Sequence, residues 1–205
     1  MNTKTAFFKE SIKSIKTTGT IMPSSKYLIK KMLKNIDFSK AAVIIEYGPG
    51  NGIITKHLLE KMNINSKLIC FEINDEFYKH LTQINDKRLI VLKQSAENLA
   101  DVLDKYQIKE TDYIISSLPL SIIPKDISLN ILDLSKKNLK NNGFFIQYQY
   151  SINFLKYFKQ IFGENNVFLS FEILNLPPAF IYKCRKTNKT TFKYSLSCQT
   201  TLKKE

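Results

Sequence analysis

Two carboxylates and three glycines carry the clearest chemistry in this chain: Glu46, Gly48, Gly50, Gly52 and Glu72. The first four lie in Ala42-Val43-Ile44-Ile45-Glu46-Tyr47-Gly48-Pro49-Gly50-Asn51-Gly52. There a mostly β-branched apolar run ends in a carboxylate, and glycine then recurs at every second position. Beyond Gly52 the pattern turns helical, with Ile53, Ile54, Leu58 and Leu59 as its apolar positions. A strand, a glycine turn and a helix in that order open a nucleotide-binding βαβ unit. Glycine lets the turn bend tightly and lets a ligand touch backbone where a Cβ would clash. The spacing Glu-x-Gly-x-Gly-x-Gly is not the Gly-x-Gly-x-x-Gly of a dinucleotide site. Glu72 closes a second apolar run, Lys67-Leu68-Ile69-Cys70-Phe71, where a carboxylate can accept from both hydroxyls of a ribose.

The bulk of the chain bounds what surrounds this turn. Its 205 residues fit one α/β domain with a substantial core. No apolar run reaches the roughly 18 residues that span a bilayer, and the lysine-rich start lacks the apolar stretch of a signal peptide. Cys70, Cys184 and Cys198 are scattered without paired or metal-like spacing, so neither a disulfide framework nor a metal site is expected, and a reducing cytoplasm is. His57 and His80 fall on expected helices as surface residues. The net charge of +13 resides at the ends. Residues 1–40 hold nine lysines against two acids, residues 183–205 hold seven basic residues against one acid, and residues 41–182 balance fifteen against fifteen. Such ends suit an anionic partner, nucleic acid or an acidic lipid surface.

The elements that must position the site follow in order. Residues 4–16 read as a basic amphipathic helix, with Phe8, Ile12 and Ile15 on one face and Lys9, Lys13 and Lys16 on another. It either lies in a headgroup layer, where each lysine is worth about 1 kcal/mol, or packs on the domain with its lysines in water. Thr18 to Ser25 reads as a loop, with Ser24 or Ser25 capping a helix over about 25–36. That helix turns Leu28, Ile29, Met32, Leu33 and Ile36 inward, with Lys26, Lys30, Lys31 and Lys34 on or near its outer face. A helix begins at Asn74-Asp75, a third strand covers 88–92, and Lys93 to Glu97 form a polar turn. In that turn Glu97 also suits the first turn of a helix over 97–105. A fourth strand, 112–116, empties into Ser117-Leu118-Pro119-Leu120, and ligands of a doubly wound sheet bind at such strand ends. A helix over 126–141 closes at Asn141-Asn142-Gly143. A fifth strand over 144–150, a helix over about 152–162 and an antiparallel pair around Asn175-Leu176-Pro177-Pro178 complete the chain before a polar tail.

The motif from Glu46 to Gly52, with Glu72 in register, resembles class I S-adenosylmethionine (SAM) methyltransferases. The β-α order, repeated five times and closed by a hairpin, matches their sheet. The resemblance implies an α/β fold: a seven-stranded, mostly parallel, doubly wound Rossmann-like sheet with N-terminal helices and an antiparallel C-terminal hairpin. Residues 1–205 are expected to form one domain, with basic N-terminal helices over 1–40, a SAM-binding core over 41–185 and a polar tail over 186–205. SAM is the implied cofactor. Glu46 is then expected near its amino-acid end, Glu72 on the ribose, and Ser95, Ala96 and Glu97 beside the adenine. Gly48, Gly50, Gly52, Ile73, Ser116 and Ser25 complete the expected cofactor contacts. The methyl acceptor is expected at the end of strand four.

Three further stretches resemble bacterial phospholipid N-methyltransferases, which act on phosphatidylethanolamine. They are Phe7-Phe8-Lys9-Glu10 through Gly19-x-Ile21-x-Pro23-Ser24-Ser25, then Ser117-Leu118-Pro119-Leu120 with Pro124, then Asn175-Leu176-Pro177-Pro178-Ala179 with Gln147-Tyr148-Gln149-Tyr150 upstream. This resemblance implies a lipid headgroup amine as acceptor, phosphatidylethanolamine or its mono- and dimethyl derivatives. It also implies an anionic membrane as partner, reached through Phe8, Lys9, Lys13 and Lys16 from the cytoplasmic side, by a monomer. Ser117 and Tyr150 are the expected catalytic residues; Tyr27, Leu118, Pro119, Leu120 and Tyr148 are expected to touch substrate. A free headgroup amine is disfavoured at neutral pH by roughly 3 pH units. A nearby positive charge and an apolar pocket both lower its pKa, so no strong base is required. Tyr148 and Tyr150 share a strand face and offer cation–π contact to a methylated nitrogen. Another amino-lipid remains an alternative acceptor. The rival reading, an rRNA adenine N6-methyltransferase, calls for Asn or Asp followed by x-Pro-aromatic after strand four. This chain has Ser117 and Leu120 at those places, and nothing after the hairpin reads as the helical domain those enzymes use to grip RNA, so nucleic acid is not the expected partner.

Overall fold

A computed structural model of the chain describes residues 24–187. The basic helix expected over 4–16, most of the following loop, Cys198 and the tail beyond Thr187 lie outside the described residues. The elements are α1 (Lys26–Leu33), β1 (Val43–Tyr47), α2 (Ile53–Lys61), β2 (Lys67–Phe71), α3 (Asp75–Leu81), β3 (Leu89–Leu92), α4 (Leu99–Lys105), β4 (Thr111–Ser116), α5 (Lys125–Asn138), β5 (Leu139–Gln149), α6 (Leu155–Phe162), β6 (Val167–Glu172) and β7 (Ala179–Arg185). The strands form one sheet in the order β3-β2-β1-β4-β5-β7-β6. The first five are parallel; β7 runs antiparallel to both β5 and β6.

Alternation along each strand sends successive side chains to opposite layers. Ile45, Tyr47, Ile69, Phe71, Ile114 and Phe145 meet α4, α5 and α6 through Leu103, Ile131 and Phe158. Ile44, Leu68, Cys70, Ile115 and Ile146 meet α1 and α2 through Leu28, Met32 and Leu58. Both faces are covered, which is why the strands read as unbroken apolar runs. Among the described residues, no helix is long and apolar enough to cross a membrane.

Several boundaries differ from expectation. The helix expected over 126–141 ends at Asn138, and Leu139 opens β5 instead. Asn142 adopts φ +65° and the β4–β5 register shifts between Thr111 and Tyr113, so residues 140–143 form an irregularity in the ladder. A Cβ on Gly143 would lie 2.8 Å from the Asp112 carbonyl, which requires glycine there. The helix expected over about 25–36 stops at Leu33, and the one expected from about 152 begins at Leu155. Lys31, near the outer face, is not left to solvent: its ammonium meets the Phe171 carbonyl and lies 3.4 Å from Glu172, tying α1 to the sheet edge.

Arg88 closes the loop before β3 and caps α2 at once. Its guanidinium donates to the carbonyls of Leu59 at 2.8 Å and Met62 at 2.7 Å, and Asp86 receives the other side of the fork. Cations are favoured at a helix C-terminus, where carbonyls lack intrahelical partners. Arg88→Met is expected to lower unfolding free energy by about 2 kcal/mol in urea titration with little change in the m-value.

Candidate functional site

The parallel register brings five strand ends to one edge. Tyr47 pairs with Phe71 and with Ser116, Phe71 with Leu92, and Ser116 with Gln147. Backbone bonds carry the ladder into the loops: Gly48 N–H donates to Phe71, Ser117 N–H to Tyr47 and Glu72 N–H to Leu92. The glycine turn, Glu72, the 93–97 turn and the 117–120 loop therefore face one another across neighbouring strands.

The turn itself is closed by Glu72. Gly50 N–H donates to its Oε2 at 3.1 Å, and Asn74 N–H donates to Oε1 at 2.8 Å. Gly48, Gly50 and Gly52 all have positive φ. At Gly52, with φ +77°, an added Cβ would come within 2.9 Å of Leu81. At Gly50, with φ +57°, it would meet nothing nearer than Phe77 at 3.6 Å. A Cβ there would make only ordinary contact with Phe77, so the left-handed backbone rather than crowding calls for glycine at this position. Among the described residues no cluster of side chains has the makeup of a metal site, and Cys70 and Cys184 are buried thiols.

Glu46 lies beneath this turn. Its carboxylate is wholly buried, accepts from Thr55 Oγ1 at 2.8 Å and Cys70 Sγ at 3.4 Å, and leaves Oε1 without a partner. Burial raises its pKa to about 7 against the opposing pull of Thr55 and Cys70, with the charge of Glu72 adding to the rise. Glu46 thus supports the turn from below, whereas Glu72 lies directly against it.

The polar turn after β3 is locally built. Ser95 Oγ accepts from Glu97 N–H at 3.3 Å, Ala96 is buried, and Glu97 Oε1 accepts from Asn130 of α5 at 3.3 Å. Ile73 packs half-buried against the core.

On the other half of the edge, the loop after β4 is held by two amides. Gln147 and Gln149 each donate to the Leu118 carbonyl at 2.9 Å, and Ser116 Oγ accepts from Leu118 N–H at 3.3 Å. Gln147 Oε1 is buried without a partner. Ser116 and Leu120 have no exposed surface, and Leu118 is nearly enclosed, its side chain against Gly48 of the turn. Ser117 and Pro119 are half-buried on its outer side. Tyr148 and Tyr150 share a face as expected, their rings edge-on at 5.8 Å. Burial pushes the Tyr150 phenol up to about 12, helped by Tyr148 and opposed by a hydrogen bond with Asn175.

Asn175 connects distant parts of this half. It is buried, accepts from Ser25 N–H at 2.9 Å and donates to the Pro177 carbonyl at 2.7 Å. Ser25 in turn caps α1 by accepting from Leu28 N–H. The expected contacts Ser25 and Tyr27 thereby start α1 beside Tyr150 and the β6–β7 turn. Sequence reading singled out the stretches holding Asn175, Gln147 and Gln149 but assigned these residues no role. It passed over Thr55 and Asn130 and took Phe77 only as a helix position, because nothing local marks a partner nine or more residues away.

Glu46 makes the site pH-sensitive. The unfolded carboxyl ionises near 4.5 and the folded one near 7, so between these values the folded chain keeps a proton that the unfolded chain has lost. Stability therefore falls as pH rises through this window and levels off above it. Glu46→Gln is expected to flatten the dependence of Tm on pH between about 5 and 7, and to gain on the order of 1–3 kcal/mol over wild type at about pH 8. Calorimetric scans across pH check both.

A family profile described as ribosomal RNA adenine dimethylase matches residues 21–156. The chain is 28% identical over 170 residues to an ornithine lipid N-methyltransferase of Singulisphaera acidiphila, covering 82% of this chain and 88% of that one. It is 30% identical over 131 residues to ribosomal RNA small subunit methyltransferase A of Mycoplasma capricolum, covering 62% of this chain. It spans about half of that second relative, 48% of its length. Among solved structures, a SAM-dependent O-methyltransferase of Thermotoga maritima superposes with a TM-score of 0.61 at 15% identity, over 88% of this chain and 72% of that one. The strand order, the glycine turn against Glu72 and the match over residues 21–156 place the chain in the ribosomal RNA adenine dimethylase family, as a class I SAM-dependent methyltransferase.

Proposed function

We propose that this methyltransferase acts on the amine of a membrane-lipid headgroup, phosphatidylethanolamine with its mono- and dimethyl derivatives or a related amino-lipid such as ornithine lipid. The observation that carries the reading is the loop after β4. Leu120 is enclosed in the core where an adenine methyltransferase would offer a ring for base stacking, and the Leu118 carbonyl already accepts from Gln147 and Gln149. A flipped base is read by stacking and by hydrogen bonds to its edge, and this loop supplies little of either. The similarity to an ornithine lipid N-methyltransferase over 88% of its length supports the same reading. The second reading, an rRNA adenine as acceptor, draws on the family match over residues 21–156.

In this reading Gly48, Gly50, Gly52 and Ile73 receive SAM through backbone and packing, with Glu72 toward its ribose. Ser95, Ala96 and Glu97 border its adenine, and Glu46 braces the turn. SAM supplies an electrophilic methyl group carried on a positively charged sulfur. The chain's own task is to present a neutral nitrogen. With its pKa near 12, Tyr150 stays a protonated phenol at neutral pH, so it orients the amine and does not accept its proton. Tyr148 and Ser117 share that orienting task, and the proton leaves through water. The basic segment around Phe8, Lys9, Lys13 and Lys16 holds the enzyme to the inner face of an anionic membrane.

Gly50→Val forces a β-branched residue into the left-handed region and sets its side chain against Phe77. It is expected to weaken SAM binding at least about tenfold by isothermal titration, given a cost of roughly 1–2 kcal/mol for that conformation alone. Incubation of the enzyme with methyl-labelled SAM and, in separate tubes, phosphatidylethanolamine vesicles, ornithine-lipid vesicles and undermethylated small-subunit rRNA tests the acceptor. Label is expected in the organic phase from one or both lipids. Label recovered in the RNA alone overturns the proposal.

A further inference from the structure

The turn joining β6 to β7 is held from inside and apolar outside. Asn175, at its centre, is buried on Ser25 and Pro177, while Glu172 Oε1 accepts from Leu174 N–H at 2.9 Å. With the backbone so pinned, the neighbours of Asn175 stand outward: Ile173 is 71% exposed, Leu174 59% and Leu176 66%. Single exposed apolar residues are ordinary, but a contiguous group of them marks an interaction surface. These do not stand alone. Because β7 begins at Ala179 opposite the end of β5, the turn lies at the same edge as the acceptor half of the site. Ile122 in the loop after β4 and Ile152 in the loop after β5 are exposed at this edge too, as is Tyr150.

Lysines predominate around this rim, with Asp126 in the same first turn as Lys125. Lys26 starts α1 directly after Ser25, and Lys125 and Lys156, at the first turns of α5 and α6, flank Tyr157 with their ammonium groups 4.9 and 5.0 Å from its ring. Glu172, the acid nearest the turn, is paired with Lys31. Residues 1–23 carry four lysines and one glutamate. Apolar tips ringed by cations match the layer where acyl chains meet anionic phosphates.

We infer that the β6–β7 turn, through Ile173, Leu174 and Leu176, enters the interfacial layer of an anionic bilayer, with Ile122 and Ile152 beside it, so that the acceptor mouth opens onto lipid. The amino-lipid reading determines what passes through that mouth; the docking itself is tested separately. Flotation of the full chain with vesicles of equal parts phosphatidylglycerol and phosphatidylcholine, across a salt series, compares wild type with the variant Ile173→Ser, Leu174→Ser, Leu176→Ser. Thermal unfolding, light scattering and methylation of a soluble dihexanoyl amino-lipid accompany it. The variant is expected to lose vesicle affinity by at least about tenfold. The difference persists at high salt, where the lysine contribution is screened, while Tm and soluble-substrate rate hold. Equal vesicle binding by the two proteins overturns the inference, whether or not the soluble lipid is methylated. So does a drop in Tm or a change in oligomeric size with vesicle binding retained, since the turn then covers the chain's own N-terminal segment or a second copy. Loss of vesicle binding in the variant, with neither protein methylating the soluble lipid, leaves the docking surface standing and removes the substrate reading.

Discussion

The site depends on parallel pairing that keeps Tyr47, Phe71 and Ser116 level. Tyr47 sits opposite both of the others, so the chain leaves β1, β2 and β4 at one height. The ladder does not stop at the last strand residues. Gly48, Glu72 and Ser117 each donate a backbone N–H to a neighbouring strand before turning away. A one-residue slip in any pair would reverse which face its side chains meet. In β1 it would exchange Glu46 with Tyr47, putting a carboxylate among Phe71 and Ile131 and a phenol under the glycine turn. The apolar faces that lock this register are thus also what places each carboxylate.

The two halves of the edge are built from different materials. The half over β1, β2 and β3 carries Glu46, Glu72 and Glu97, with the backbone N–H groups of Gly50 and Asn74 turned onto Glu72. The half over β4, β5 and β7 carries amides and phenols: Gln147, Gln149, Asn175, Tyr148 and Tyr150. Acids suit a cofactor that carries positive charge. Neutral donors and aromatic faces suit a nitrogen that must first lose a proton and afterwards gains methyl groups, since they neither hold it as an ammonium nor depend on its N–H bonds.

What the sequence disclosed and what it withheld divide along the range of the interactions involved. The glycine turn and Glu72 were legible because each closes its own strand, and the strand-turn-helix pattern is local. The order of elements was legible for the same reason. The end of α5 was not: Leu139 continues the helical spacing of Ile131, Leu132 and Leu134, and only pairing with Thr111 draws it into the sheet. Nor was Lys31, whose anchor on Phe171 and Glu172 lies some 140 positions away. The bond between Ser25 and Asn175 spans 150 positions. Both stretches had stood out in the sequence, yet their contact, which sets α1 against the acceptor half, follows from topology alone.

Glu46 shows how the two scales meet. A carboxylate at the end of an apolar strand looks, from sequence, like a ligand contact. In the fold it has no exposed surface, a pKa near 7 and one unpartnered oxygen. Burying an incompletely bonded carboxyl is unfavourable by on the order of 1–3 kcal/mol. Glu72, bonded to Gly50, raises that pKa further. Glu72 thus acts in two directions, accepting from the turn at Gly50 and disfavouring charge on the acid buried behind it.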